Sequence, residues 1–320
     1  MRPFELTAPP TVEAALASPG TFLAGGTTLV DLMKLNVLTP QQVLDINELP
    51  LRGIDTSDGL RIGALERMSD VAEHAGVYPA ISRALLQSAS QQLRNMASIG
   101  GNLLQRTRCT YFRDIATPCN RREPGSGCPA ISGANRMHAV LGTSDSCVAT
   151  HASDLAVALV ALDAELRLVS ATGGRTVKLA DFYRLPGETP EVETDLRPGE
   201  LIGEVLVPRL DWAARSTYVK VRDRQSYEFA LCSAAVALDV QDSRIVDARV
   251  AAGGVATVPW RLPAVEDALR GAPATLASFE DAASMAADGA RPLSGNGFKV
   301  SLLKRTVVRA LLELTEGSRL

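Results

Sequence analysis

FLAGGTTLVDLMK, residues 22–34, decides the fold. It passes from a short apolar run through two glycines and two threonines into a stretch with helical spacing. Leu29, Leu32, Met33 and Leu35 recur at the interval of one helix face, and Asp31 sits in the first turn, where a carboxylate favours the helix start. The stretch therefore reads as strand, glycine turn, helix. Glycine permits positive φ and lets a ligand approach the backbone closely. Free N–H groups in the next turn favour an anion such as pyrophosphate, and Thr27 and Thr28 add hydroxyl donors. A plain strand–helix turn capped by threonine accounts for the same residues. The spaced GxGxxG fingerprint is missing, so a Rossmann domain does not follow.

A second paired-glycine turn, ASIGGNL at 97–103, follows a helical pattern. A helix C-cap explains one of its glycines; two backbone clamps on one dinucleotide would explain both turns. Around them, TVEAALA reads as a short helix capped by Thr11, and TFLAGG and QVLDI contain strands. A hairpin turns at Ser57-Asp58-Gly59, and helices are expected at about 69–75 and 80–96. Region 99–146 is irregular and far longer than an ordinary loop, which points to a function or a bound ligand. DLAVALVALDAELRLVS then runs from helix to strand, and GELIGEVLVP is a further strand after the acid-rich loop YRLPGETPEVETDLRPG. A new unit begins near residue 212, with strands in STYVKVRD, FALCSAAVALDV and RIVDARVAAGGVA. Helices follow within 260–271, 275–289 and 296–317. The sum is an α+β chain.

At 320 residues the chain has room for two or three packed units. Its 33 basic and 36 acidic residues leave a net charge of −3, so no polyanion-binding signature is present. Aromatics, at 4%, are too few for a nucleic-acid stacking platform. Apolar runs are short and broken by charge, so no membrane span is expected. The N-terminus has neither a continuous apolar leader nor paired arginines. By its own sequence the chain is expected in the cytoplasm, or in the periplasm if exported with a signal-bearing partner. There is no HExxH helix, nucleophile elbow or Walker loop, and the only histidines are His74, His138 and His151. Catalytic chemistry is therefore delegated to cofactors.

RTRCTYFRDIATPCNRREPGSGC, residues 106–128, carries three of the five cysteines in a segment with little apolar company. With Cys147 the spacing is C-x9-C-x8-C-x18-C through Cys109, Cys119 and Cys128. Five cysteines in so long a chain do not make a secreted disulfide scaffold. Cys232, in an apolar strand, is expected to be an inert core thiol. Four thiolates suffice for zinc or for a 4Fe–4S cluster; the paired C-x2-C of common zinc modules is missing, and spacing alone leaves both open. Arg106, Arg108, Arg113, Arg121 and Arg122 are placed either to offset a cluster's charge or to form a solvated or docking face.

FLAGGTTLVDLMK, LRNMASIGGNL, HASDLAVALVALDAELRL and YVKVRDRQSYEFALCSAAVAL, in that order, resemble the FAD-binding subunit of the xanthine dehydrogenase/aldehyde oxidase (molybdenum hydroxylase) family. The resemblance runs through essentially the whole chain. It implies a FAD-binding PCMH-type domain over 1–211, with subdomains at about 1–55 and 56–211 and a cysteine-bearing insertion at about 103–147. A C-terminal α+β domain over 212–320, a three-stranded antiparallel sheet with helices, follows. It also implies that Ala24, Gly25, Gly26, Thr27, Thr28, Leu29 and Val30 bind the FAD pyrophosphate, joined by Ser98, Gly100, Gly101 and Asn102. Asp154 would hydrogen-bond the ribityl or neighbouring hydroxyls, although a helix-start carboxylate is an equally local reading. Ile202 matches an apolar position beside the flavin ring. Lys220 matches a lysine near its pyrimidine end; otherwise it is a solvated strand residue.

Within the family the insertion most resembles that of the flavoprotein subunit of periplasmic-type aldehyde oxidoreductase, which implies a 4Fe–4S cluster on Cys109, Cys119, Cys128 and Cys147. The implied assembly is a heterotrimer with a large molybdenum-cofactor subunit and a small 2Fe–2S subunit. It would oxidise an aldehyde to a carboxylic acid and deliver electrons to an external acceptor. A 4-hydroxybenzoyl-CoA reductase-like subunit, another molybdenum hydroxylase, a zinc-stapled non-redox subunit and a stand-alone flavin oxidase are the alternatives.

Overall fold

The computed structural model describes residues 1–316 and arranges them around three sheets. The first is small and parallel: β1 (Glu5–Thr7), β2 (Thr21–Leu23) and β3 (Gln42–Asp45), in the order β1-β3-β2. Parallel neighbours need crossovers, which α1 (Val12–Ala17) and α2 (Leu29–Lys34) provide. Thr11 caps α1, its Oγ1 accepting the Ala14 N–H at 3.1 Å.

The second sheet joins β4 (Ile54–Asp55) and β5 (Leu60–Gly63) to three later strands. Between them come α3 (Met68–Glu73), α4 (Pro79–Leu86), α5 (Gln91–Met96), α6 (Ile99–Leu103), α7 (Thr110–Arg113) and α8 (Asp154–Ala161). Then follow β6 (Glu165–Ser170), β7 (Gly173–Lys178), α9 (Leu179–Phe182) and β8 (Leu201–Val207), giving the antiparallel order β4-β5-β8-β6-β7. The β4–β5 hairpin needs its glycine, because a Cβ on Gly59 (φ +80) would stand 2.5 Å from the Val207 carbonyl oxygen.

The third sheet is antiparallel: β9 (Ser216–Val221), β10 (Cys232–Gln241), β11 (Arg244–Gly253) and the two-residue β12 (Trp260–Arg261). Along β10 Ala235 and Ala237 join the core around α8, while Ala234, Val236 and Leu238 face α10 (Pro263–Leu269), α11 (Leu276–Ala283) and α12 (Phe298–Glu316). Both faces are covered, which is why this strand reads as a continuous apolar run. Cys232 is fully buried in it, and burial pushes its thiol up to about 12, as an inert core cysteine should behave. All eight residues of α8 are buried, so this helix is packed on every side.

The structure departs from the sequence reading in several places. The helix expected over 80–96 is two helices, broken where Ala89 takes φ +48. Beside the break the Gln87 carbonyl accepts from Lys220 in β9 and from Arg222 just after it, partners that local patterning does not reveal. Region 99–146 is not wholly irregular, since α6, α7 and a short 3-10 turn at Pro129–Ile131 lie within it. The expected three-stranded C-terminal sheet gains β12, and β1 and β7 had no clear sequence signal. Gly317, the end of the last expected helical segment, lies outside the described residues.

Candidate functional site

The two glycine turns meet. A Cβ on Gly25 would lie 1.9 Å from the carbonyl oxygen of Met96, immediately before the second turn. Only glycine allows that approach, and Gly26 beside it needs φ +71. Two residues missed in the sequence tie the turns together. Asn47 Nδ2 donates to the Ala24 carbonyl at 2.9 Å, and Arg67 donates to Asn47 Oδ1 at 3.0 Å and to the Met96 carbonyl. Neither residue lies in a recognisable motif. Thr28 precedes α2 without making a side-chain cap bond, so the plain threonine-cap account of this turn does not describe it. In the second turn Ser98 Oγ accepts the Gly101 N–H at 3.2 Å, and a Cβ on Gly100 would press to 3.0 Å from that of Ala64.

Thr27 and Thr28 stand between two cavities. One, of about 410 Å³, is lined by Ala24, Gly25, Gly26, Leu29, Ser98, Gly100, Gly101 and Ile202. The other, of about 450 Å³, is lined by Asn102, Asp154 and Lys220 with Ser88, Arg108 and Tyr227. Volumes of this size suit a cofactor that lies along a groove. Ile202 and Lys220 thus face different cavities on either side of the turns. Val30 packs against Gly26, where an added Cβ would come within 3.1 Å of its side chain.

Asp154 is the first residue of α8 and more than a helix-start charge. Its Oδ1 accepts from Tyr218 at 2.6 Å, and its Oδ2 accepts from Lys220 Nζ at 2.7 Å with the Ser88 hydroxyl at 2.9 Å. The Lys220 side chain is 1% exposed, so it is not a solvated strand lysine. Its charge is matched by Asp154, and its remaining reach goes to the Gln87 carbonyl at 3.0 Å. Buried charge persists when paired and hydrogen-bonded in this way. Ser153 caps α8 and donates to Asn102 Oδ1 at 2.6 Å, joining the second glycine turn to the Asp154 cluster.

The four loop cysteines converge. Cys109, Cys119, Cys128 and Cys147 line one cavity, and none is in a disulfide. Among the described residues no group of three or more His, Cys, Asp or Glu side chains is arranged to hold a metal ion. Four thiols around one cavity are, in donor chemistry alone, the set that a thiolate-ligated metal group would use. The segment is not without a core, as the sequence suggested: Cys109 and Cys119 pack with Leu32, Val37, Leu38 and Phe112. Burial raises the Cys109 thiol to about 11 and raises Cys128 as well.

The arginines divide. Arg108 and Arg113 both pair with Asp31, and Arg122 donates to the carbonyls of Tyr111 and Phe112. Arg106 and Arg121 pair with Glu193 of the acid-rich loop, and Arg121 Nη2 also reaches Cys147 Sγ at 3.7 Å. Arg121 alone of the five touches a cysteine, so the expected charge compensation comes down to one buried side chain.

A third cavity, of about 310 Å³, connects these parts. It shares Arg108, Ala152 and Asp154 with the Lys220 cavity, and Cys109 and His138 with the four-cysteine cavity. No helix among the described residues is long and apolar enough to cross a membrane.

Residues 3–210 match the family described as the FAD binding domain in molybdopterin dehydrogenase, and residues 217–314 match the CO dehydrogenase flavoprotein C-terminal domain. The chain belongs to the FAD-binding subunits of the molybdenum hydroxylase family. It is 49% identical over 312 residues to the aldehyde oxidoreductase FAD-binding subunit PaoB of Escherichia coli, with 94% of each chain covered. It is 33% identical over 294 residues to the glyceraldehyde dehydrogenase medium chain of Sulfolobus acidocaldarius, covering 90% of this chain and 86% of that one. The fold matches a chain of quinoline 2-oxidoreductase from Pseudomonas putida 86 with a TM-score of 0.76 at 23% identity, over 100% of this chain and 99% of that one. As a molybdenum hydroxylase flavoprotein it is an oxidoreductase subunit with the expected α+β fold, and FAD is its cofactor.

Proposed function

We propose that this chain is the electron-transfer subunit of a molybdenum-dependent aldehyde oxidoreductase. In that assembly a large molybdenum-cofactor subunit and a small 2Fe–2S subunit oxidise an aldehyde to a carboxylic acid with water as the oxygen source. This chain stands between them and an external acceptor. Similarity to an aldehyde oxidoreductase subunit over nearly the full length supports the substrate class. When bound, FAD supplies the exchange between two-electron and one-electron chemistry. The glycine turns and Thr27 and Thr28 bind its pyrophosphate through N–H and hydroxyl donors. A dinucleotide seated there extends into both flanking cavities. Its flavin end would lie with Lys220 and Asp154, which puts Ile202, expected beside the flavin ring, at the other end instead. The Asp154–Lys220 pair orients polar atoms on the flavin side while bringing no net charge to it.

Cys109, Cys119, Cys128 and Cys147 hold a 4Fe–4S cluster, which supplies one-electron chemistry when bound. The observation that carries this reading is the shared wall: Cys109 and His138 border both the four-cysteine cavity and the groove leading to Asp154. A cluster placed there borders the third cavity, which shares Arg108, Ala152 and Asp154 with the cavity proposed for the flavin end.

Anaerobic purification followed by iron, zinc and flavin analysis tests both parts. The expected protein carries FAD and four irons per chain, and Cys119→Ser loses the iron. A colourless zinc protein would overturn the redox reading. Full iron in Cys119→Ser would overturn the ligand assignment.

A further inference from the structure

His138 Nε2 lies 3.1 Å from Cys109 Sγ, and the histidine is 5% exposed. Its Nδ1 is buried without a hydrogen-bond partner. A thiolate bound to iron has no proton and can only accept, so a hydrogen bond across this contact runs from Nε2–H to sulfur. That assigns the neutral ring its proton on Nε2 and leaves Nδ1 without one.

The backbone that carries this ring is held from a distance. Asn296 Nδ2 donates to the carbonyls of His138 and Ala139 at 3.2 and 3.1 Å. Lys299 Nζ donates to the carbonyl of Met137 at 3.1 Å and to that of Gly254 at 2.6 Å. Both side chains are 0% exposed. Burying an ammonium that binds only neutral carbonyls is costly, and here the cost fixes the residues on either side of His138. Asn296 and Lys299, at the entry to α12, therefore hold the backbone of 137–139 that presents His138 to Cys109.

We propose that His138 is a positioning residue for the iron–sulfur centre, donating a hydrogen bond to the Cys109 thiolate and raising the cluster's reduction potential. The proposal rests on the reading of the four cysteines as cluster ligands. An N–H···S bond stabilises the extra negative charge of the reduced cluster more than that of the oxidised one. Cys109 is also the one of the four cysteines that lines the third cavity, which reaches Asp154.

The test uses the intact complex and reads iron content, FAD content and the cluster midpoint by EPR-monitored titration. His138→Leu is expected to keep iron and FAD and to shift the midpoint to lower potential; His138→Gln, which retains an N–H donor, is expected to bring it part-way back. A second measurement needs no variant. Pulsed EPR of the reduced wild-type cluster, in protein labelled with ¹⁵N-histidine, is expected to show a hyperfine coupling to one imidazole nitrogen. An unchanged midpoint in iron-replete His138→Leu overturns this proposal alone, as does a labelled wild-type protein without the coupling. A wild-type protein without iron overturns the ligand reading and this proposal with it.

Discussion

Lys220 Nζ and Asp154 Oδ2 form a 2.7 Å ion pair, with side chains 1% and 8% exposed, that bolts the first strand of the C-terminal sheet to the first residue of α8. Removing one partner leaves a buried charge uncompensated. Asp154→Ala is therefore expected to lower stability by about 3–5 kcal/mol and to reduce FAD content. The double variant Asp154→Asn with Lys220→Met, which removes both charges, should recover much of the stability. Thermal unfolding together with flavin-to-protein ratios checks both expectations; equal losses in the single and double variants would refute the pairing argument.

The contact between the glycine turns makes Gly25 the more demanding position. In Gly25→Ala the new methyl would meet the Met96 carbonyl oxygen at 1.9 Å, and backbone must move. In Gly101→Ala the nearest atom is Ser98 Oγ at 2.8 Å, the end of a side chain that can rotate at the loss of a helix cap, about 1 kcal/mol. FAD affinity is expected to fall by about tenfold or more in Gly25→Ala, equivalent to about 1.4 kcal/mol, and less in Gly101→Ala. Apo-protein titration with FAD measures the difference.

His151 predicts acid sensitivity. Burial, assisted by nearby Arg121, lowers its ring to about 3 from the ordinary value of 6.5. Its Nδ1 accepts the Ser153 N–H at 3.3 Å, a bond that requires the neutral ring. Because the folded value is below the unfolded one, the unfolded chain binds more protons between about pH 3 and pH 6.5. Stability from this group is complete above pH 6.5 and declines as pH falls below it, by roughly 2 kcal/mol at pH 5. His151→Gln should flatten the acid limb of a stability–pH curve relative to wild type; parallel curves would exclude His151 as its source.

Arg121 is the arginine placed to act on the cysteine cavity. If the four cysteines hold the proposed cluster, Arg121→Met is expected to shift its midpoint to lower potential, because a buried cation beside Cys147 favours the more negative state. Arg113→Met should leave the midpoint unchanged, since Arg113 is spent on Asp31. A shift of the same size in both variants would mean that net charge, not contact, sets the potential.

Much of the backbone was legible locally. Thr11 capping α1, the Gly59 hairpin and the α8–β6 passage all follow from side-chain period and turn chemistry within a few residues. The break at Ala89 was not, because the Gln87 carbonyl beside it meets Lys220 and Arg222, partners more than a hundred residues away in the chain. The arginine-rich segment likewise gave no sign of its partners. Asp31 and Glu193 are distant in sequence, and only folding brings them to Arg108, Arg113, Arg106 and Arg121.

By itself the sequence determined most of the longer strands and helices in order, the two glycine turns and the supply of four thiols in one long insertion. These depend on residue type and short-range period, which a linear chain displays in full. Only the tertiary structure decided that the turns touch, that Ile202 and Lys220 lie on opposite sides of them, and that Lys220 is buried against Asp154. It also decided that His138, held by Asn296 and Lys299, lies against Cys109. Those contacts join residues far apart in the chain, and their energy comes from burial and charge matching that exist only once the layers have packed.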